Sequence, residues 1–171
     1  TTVRASLKER ILNPGTGAAI ISDVNKGLVR DIEELNLFIT MFYSEIDLKD
    51  KCFRWVHAGH EAALIYDPVK DNFQTLAGDG VPLGVMEDWD YKESEIQIDS
   101  GQIIIIGTDG IKEACNSNDE YFGNERLKSL IRSHSQKSAK DILCEVFEAL
   151  DSFRFPAERK DDETLVIIKV F

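Results

Sequence analysis

Residues 100–114 read SGQIIIIGTDGIKEA, four consecutive isoleucines (Ile103 to Ile106) between a Ser-Gly turn and Gly107. A short apolar run with no polar alternation fits a strand buried on both faces. The run ends at Thr108-Asp109-Gly110, and helical spacing is predicted over 111–115. A carboxylate therefore stands at the exit of a buried strand. The glycine behind it has no Cβ, so a cation or a phosphate can approach the backbone there. Taken alone, Asp109 has a simpler reading as the N-cap of the helix that begins near Ile111.

Working upstream, residues 91–98 alternate as YKESEIQI, a strand with one wet face, and Asp99-Ser100-Gly101 turns it into the isoleucine run. Period two is also predicted over 37–47 (containing FITMFYSEID) and 52–58 (CFRWVHA), which pair as a hairpin around residues 48–51. A second hairpin joins 62–67 to 72–77, turning at Asp67-Pro68 through Asp71. Gly78, Gly80, Pro82 and Gly84 make a loop. Two helices come before all of these strands. Residues 1–12 place Val3, Leu7 and Ile11 on one side and are stopped by Asn13-Pro14-Gly15. Residues 18–34 carry a core stripe of Ile20, Ile21, Val24, Leu28, Val29 and Ile32. Downstream, helices are predicted over 124–134 and 138–153, and a last strand over 163–171. Antiparallel strands with helices segregated before and after them give an α+β class, sheets covered by helix pairs, in a single domain.

The length of 171 residues, with 43% apolar and 30% charged residues, suits one soluble globular domain. No apolar run reaches the roughly 18 residues that a membrane span needs. TTVRASLKERIL at the N-terminus is expected to be an amphipathic helix rather than a signal peptide, and Thr1 is not expected to be the start of translation. A net charge of −11, with Lys and Arg scattered among acids, argues against a nucleic-acid partner. Cys52, Cys115 and Cys144 form no CxxC pair or disulfide framework and are expected to be small buried apolar residues in a reducing cytoplasm. His57 and His60 in WVHAGH have a metal-like spacing, but no Cys or third His completes a site, so His60 is expected to order a turn. GDGVPLG lacks the Lys and Ser/Thr of a P-loop, which weakens a nucleotide-switch reading, and no GxSxG elbow is present.

A second acidic position is Asp161-Asp162 in RKDDETLVIIKV, just before the last strand. Adjacent carboxylates repel, which a cation or solvent can screen. A charged loop of this kind is most simply a solvated turn. Asp109 at the end of one strand and Asp161 at the start of another could, however, meet across a sheet. An oxygen-only pair of that kind suits Mg²⁺ or Mn²⁺ rather than zinc.

The order FITMFYSEID, FRWVHAGHEAALIYDP, GVPLGV, SGQIIIIGTDGIKEACN, EYFGNERL, KDDETLVIIKV resembles the PPM-type (PP2C-like) serine/threonine protein phosphatases, SpoIIE/RsbU branch, over essentially all 171 residues. That branch commonly has AGHNPP where this chain has Ala58-Gly59-His60-Glu61-Ala62-Ala63. The resemblance implies a PP2C-like α/β/β/α sandwich of two antiparallel sheets flanked by helix pairs, with two Mn²⁺ or Mg²⁺ ions. It makes Asp109 (of TDG) and Asp161 (of DDxT) metal ligands, with Gly110 and Asp162 as secondary positions. It also implies a metal-bound hydroxide as nucleophile, so no catalytic side chain is named. The implied substrate is a phosphoserine or phosphothreonine protein of the anti-sigma-factor-antagonist kind, in sigma factor regulation. An upstream sensor or receiver domain and a homodimer are among the implied partners.

In the family, a segment before the first helix carries an acidic GD motif and a DGHG- or SGHG-like motif, which bring further ligands. Thr1 falls just after that region, so the resemblance implies an N-terminally incomplete domain. A protein beginning at Thr1 is then expected to have open strand edges, no appreciable phosphatase activity and a tendency to self-associate. The alternative from another class is a non-catalytic module that uses the phosphatase fold for binding or dimerisation.

Overall fold

The structure is a computed structural model and describes residues 2–32 and 37–171. Along the chain run α1 (Thr2–Arg10), α2 (Gly17–Ile32), β1 (Met41–Asp47), β2 (Cys52–Ala58), β3 (Ala63–Asp67) and β4 (Asn72–Leu76). They are followed by β5 (Glu93–Gln97), β6 (Ile103–Gly107), α3 (Asp109–Lys112), α4 (Gly123–Ser133), α5 (Ala139–Arg154) and β7 (Leu165–Lys169). The chain divides into two compact units, Thr1–Ala62 with Ala77–Ile98, and Ala63–Leu76 with Asp99–Phe171.

The first unit has a three-stranded antiparallel sheet in the order β1-β2-β5. Its hairpin closes because the Asp47 carboxylate accepts the amides of Lys49 (2.9 Å) and Asp50 (3.0 Å), after which Lys51 takes a φ of +49°. The helical stripe of α2 sets Ile21, Val24 and Leu28 against Val56, Ala58, Leu83 and Tyr91, and Val3 and Leu7 of α1 pack on the same cluster. Asn25 lies fully buried in that face. Its amide donates to the carbonyls of Met86 (2.8 Å) and Glu87 (3.2 Å), and its oxygen accepts from Gly84 (2.9 Å). A buried amide satisfied on both ends fixes the loop it touches.

The second unit has a four-stranded antiparallel sheet in the order β4-β3-β6-β7. One face carries Tyr66, Ile103 and Ile105 against Ile131 of α4 and Ile142, Val146 and Leu150 of α5. Ile104 is buried as well, and it alternates with Ile103 and Ile105, so the run is covered on both faces. α5 is started by Ser138, whose hydroxyl accepts the Asp141 amide at 3.1 Å. The β3–β4 turn repeats the device of the first hairpin: Asp67 accepts the amides of Val69 and Lys70, and Asp71 has a φ of +47°.

Asp71 also ties this turn to α4, accepting from Arg132 Nε at 2.6 Å and from the Tyr66 hydroxyl at 2.9 Å. The Arg132 guanidinium, and after it Tyr66, hold the Asp71 carboxyl below its usual range. A depressed folded pKa gives stability that is fully present above the unfolded value and is lost as pH falls through the folded one. The wild type is therefore expected to melt above Asp71→Asn at neutral pH, the gap closing below about pH 4. A gap of the same size at every pH would contradict the ion pair as its source.

Among the described residues the ladders between named strands are antiparallel, in keeping with the α+β class, and the differences in extent have local causes. The strand expected from residue 37 begins at Met41, because Ile39 pairs only with Leu83 in an isolated bridge. The last strand begins at Leu165 rather than 163, since its ladder with β6 starts at Gly107↔Leu165 and the Thr164 amide is taken by the Thr108 hydroxyl oxygen. Helix is present at Asp109–Lys112 instead of 111–115. Ile11 lies beyond the end of α1 and is exposed, so it does not extend the stripe of Val3 and Leu7. Positions 33 and 34 of the second expected helix lie outside the described residues. Cys52 and Cys115 are buried, but Cys144 is exposed: it sits on α5 between the inward positions Ile142 and Val146.

Candidate metal centre

β6 and β7 are neighbours, and their ladder runs from Ile103↔Lys169 to Gly107↔Leu165. The chain therefore leaves β6 and enters β7 at the same end of the sheet. Thr108 joins the two crossings there. Its amide donates to the Thr164 carbonyl (3.0 Å), its hydroxyl donates to the Asp162 carbonyl (3.1 Å), and its Oγ1 accepts the Thr164 amide (3.0 Å). Gly110 lies against the same turn: a Cβ on it would come within 2.4 Å of the Asp162 carbonyl oxygen.

This geometry corrects the capping role considered for Asp109. Thr108 occupies the N-cap position of α3, with φ −78° and ψ 161°, and Asp109 is the first helical residue. The Thr108 hydroxyl makes no cap bond because it is engaged across the strands. Asp109, Asp161 and Asp162 are all exposed at this strand end, and Asp161 Oδ1 accepts the Asp162 amide at 2.7 Å.

Beside the turn opens a cleft of about 300 Å³, lined by Gly110, Glu113, Ala114, Cys115, Asp119, Tyr121, Arg154, Glu158, Lys160, Asp161 and Glu163. Among the described residues, no group of three or more His, Cys, Asp or Glu is gathered so as to hold an ion. The two histidines of the first unit are used in a turn. His57 Nε2 lies 2.5 Å from the His60 carbonyl oxygen, and His60 Nδ1 lies 3.2 Å from the Thr40 hydroxyl. Gly59 between them has a φ of +70°.

The profile of the family described as Stage II sporulation protein E (SpoIIE) matches residues 1–171. The chain belongs to the SpoIIE family. Phosphoserine phosphatase RsbU of Bacillus subtilis is 26% identical over 164 residues, which are 96% of this chain and 47% of RsbU. This SpoIIE-family chain thus spans under half the length of that relative. Among solved structures, the SiaA-PP2C domain of Pseudomonas aeruginosa superposes with a TM-score of 0.87 at 18% identity, covering 99% of this chain and 68% of that one. The PP2C phosphatase domain of SpoIIE from Bacillus subtilis, with a fragment of its regulatory domain, gives a TM-score of 0.80 at 19% identity, covering 99% and 48%. The fold is therefore that of PP2C phosphatase domains, two antiparallel sheets with helices.

Whether this strand end suits the divalent ions implied by the resemblance depends on its donors. It offers oxygen only, from the carboxylates of Asp109 and Asp161. Gly110 is buried, and its lack of a Cβ is what lets the Asp162 main chain pack against it. Donors of that kind fit a hard cation such as Mg²⁺ or Mn²⁺ as part of its ligand set. Thr108 was not singled out in the sequence, although a Thr between a buried strand and Asp-Gly was a signal for it. Arg154 and Glu163 were missed as well, because charged residues read as surface.

Proposed function

We propose that this chain is the phosphatase domain of a larger regulator and removes phosphate from phosphoserine or phosphothreonine on a protein of the anti-sigma-factor-antagonist kind. The observation that supports this reading is that the β6 exit, followed by Asp109, is joined through Thr108 to the β7 entry, and that Asp161 before that entry lines a cleft. The name of RsbU, a phosphoserine phosphatase, supports the chemistry of the substrate. Asp109 and Asp161 would hold Mn²⁺ or Mg²⁺, with Gly110 letting the Asp162 main chain pack close and the Asp162 carbonyl joining the turn to Thr108. Ions held there would supply the positive charge that lets a chain of net charge −11 accept a phosphoryl group, and would make the attacking water more acidic. The chain's own contribution is to fix the ligands, since the Thr108 hydroxyl pins the two turns to each other before any ion binds.

A binding module without catalysis is favoured by one observation, that among the described residues no three His, Cys, Asp or Glu are gathered so as to hold an ion. The two readings separate in the full-length protein that contains this chain. Phosphate release from a folded phosphoserine protein should require Mn²⁺, stop in EDTA and resume when Mn²⁺ is restored. A short phosphopeptide should be at least about tenfold poorer in kcat/KM, because it directs less binding energy to the transition state. Binding of the phosphoprotein with no turnover at any Mn²⁺ concentration would establish the module instead.

A further inference from the structure

Arg154, the last residue of α5, is a charged group inside the fold, with a side chain only 7% exposed. It pairs with Asp151, one turn back on its own helix, and with Glu163, two residues after Asp161. Glu163 is more deeply buried, at 2%. Its Oε2 lies 3.2 Å from Arg159 Nη2, an ion pair by distance whose angle makes no hydrogen bond. Apolar residues of similar size would often serve stability as well as a buried ion pair does. Stability alone is therefore a weak account of the pair, and its position suggests a stronger one.

We propose that Arg154 and Glu163 form a clasp that sets the Asp161–Asp162 turn, so that both are positioning residues for the site. The proposal rests on the phosphatase reading above. The turn is held on one side by Thr108, through the Asp162 carbonyl and the Thr164 amide. On its other side Glu163, between those two residues in sequence, is anchored to the end of α5 by Arg154. Asp161 thus precedes a segment fixed from a strand and from a helix, and it closes on that segment through the Asp162 amide. The planar fork of Arg154 reaches Asp151 and Glu163 at once, which the single ammonium of a lysine does not reproduce.

The test uses Glu163→Gln and Arg154→Lys in the full-length protein, with Val146→Ala as a control that loosens the α5 core away from the turn. Amide hydrogen exchange and Mn²⁺ titration are the readouts. Both clasp variants should exchange the Asp162 and Thr164 amides faster while β6 stays protected. Their Mn²⁺ dissociation constants should rise by about tenfold or more, the usual effect of losing a partner that orients a ligand. Val146→Ala should leave Mn²⁺ affinity unchanged even where it lowers the melting temperature. If Glu163→Gln does not fold, Arg154→Lys, which keeps the charge, decides. Wild-type exchange and wild-type Mn²⁺ affinity in folded Arg154→Lys would overturn the clasp. If the wild type itself binds no Mn²⁺, the phosphatase reading falls, and the local exchange rates still decide for or against the clasp.

Discussion

Asp109→Asn and Asp161→Asn, made separately in the full-length protein, are each expected to lower Mn²⁺-dependent hydrolysis of a phosphoserine protein by roughly a thousandfold. Asn keeps the side-chain volume and one oxygen but loses the charge that a divalent cation needs from its ligand. Losing about 4 kcal/mol of charge stabilisation in the transition state corresponds to that factor. Stability should barely move, because both side chains are exposed, and such positions usually change it by about 0.5 kcal/mol or less. The Asp162 amide still finds an acceptor in Asp161→Asn, so the turn itself should persist. Asp162→Asn should be milder, since the contact Asp162 makes to Thr108 comes from its backbone carbonyl. Steady-state kinetics together with thermal melts decide the matter. Full activity in both Asn variants, or undiminished rates in chelator, would remove the metal reading of this strand end.

Much of the fold could be read locally because strands and turns carry their own chemistry. The two hairpins announce themselves through Asp47 and Asp67, each of which accepts two amides of the turn that follows it. The isoleucine run is buried on both faces, and apolar residues without polar alternation predict that. The division into sheets was not legible. β5 and β6 are joined by a short turn, yet β5 pairs with β2 while β6 pairs with β3 and β7. Partners distant in sequence leave no mark on local periodicity. The same limit governs the site. Asp109 and Asp161 could be picked out as candidates, but only the register of β6 and β7 brings them to one end. Thr and Asp are both good caps, so sequence favoured Asp109 and passed over Thr108. Thr108 takes the cap position while its hydroxyl is held by Asp162 and Thr164, residues that no local window includes. Arg154 and Glu163 escaped notice for a related reason: they meet as a buried ion pair between a helix end and the approach to β7, which no local periodicity marks.

Gly110→Ala is expected to damage activity and stability together, and the reason is space rather than backbone conformation. A methyl group at this position would lie 2.4 Å from the Asp162 carbonyl oxygen and 3.2 Å from its carbon. Both atoms are main chain, so no flexible side chain can swing aside. The turn must retreat by about 1 Å to restore ordinary packing, and a displacement of that size can cost about a hundredfold in rate. The retreat also stretches the 3.1 Å bond from Thr108 to the same carbonyl, which leaves the two turns less firmly joined. Overpacking of this kind typically costs about 1–3 kcal/mol. Gly27→Ala is the matching control, because a Cβ there meets nothing within 4 Å on α2. That change should raise stability by about 0.5–1 kcal/mol, since Ala is the better helix former, and should leave the rate alone. Melting curves and kcat on the two purified variants separate local crowding at the site from a general effect of adding a methyl group. A Gly110→Ala protein as fast and as stable as the wild type would mean that Gly110 and Asp162 are not in contact, and the joined strand ends would lose their role in placing Asp109 and Asp161.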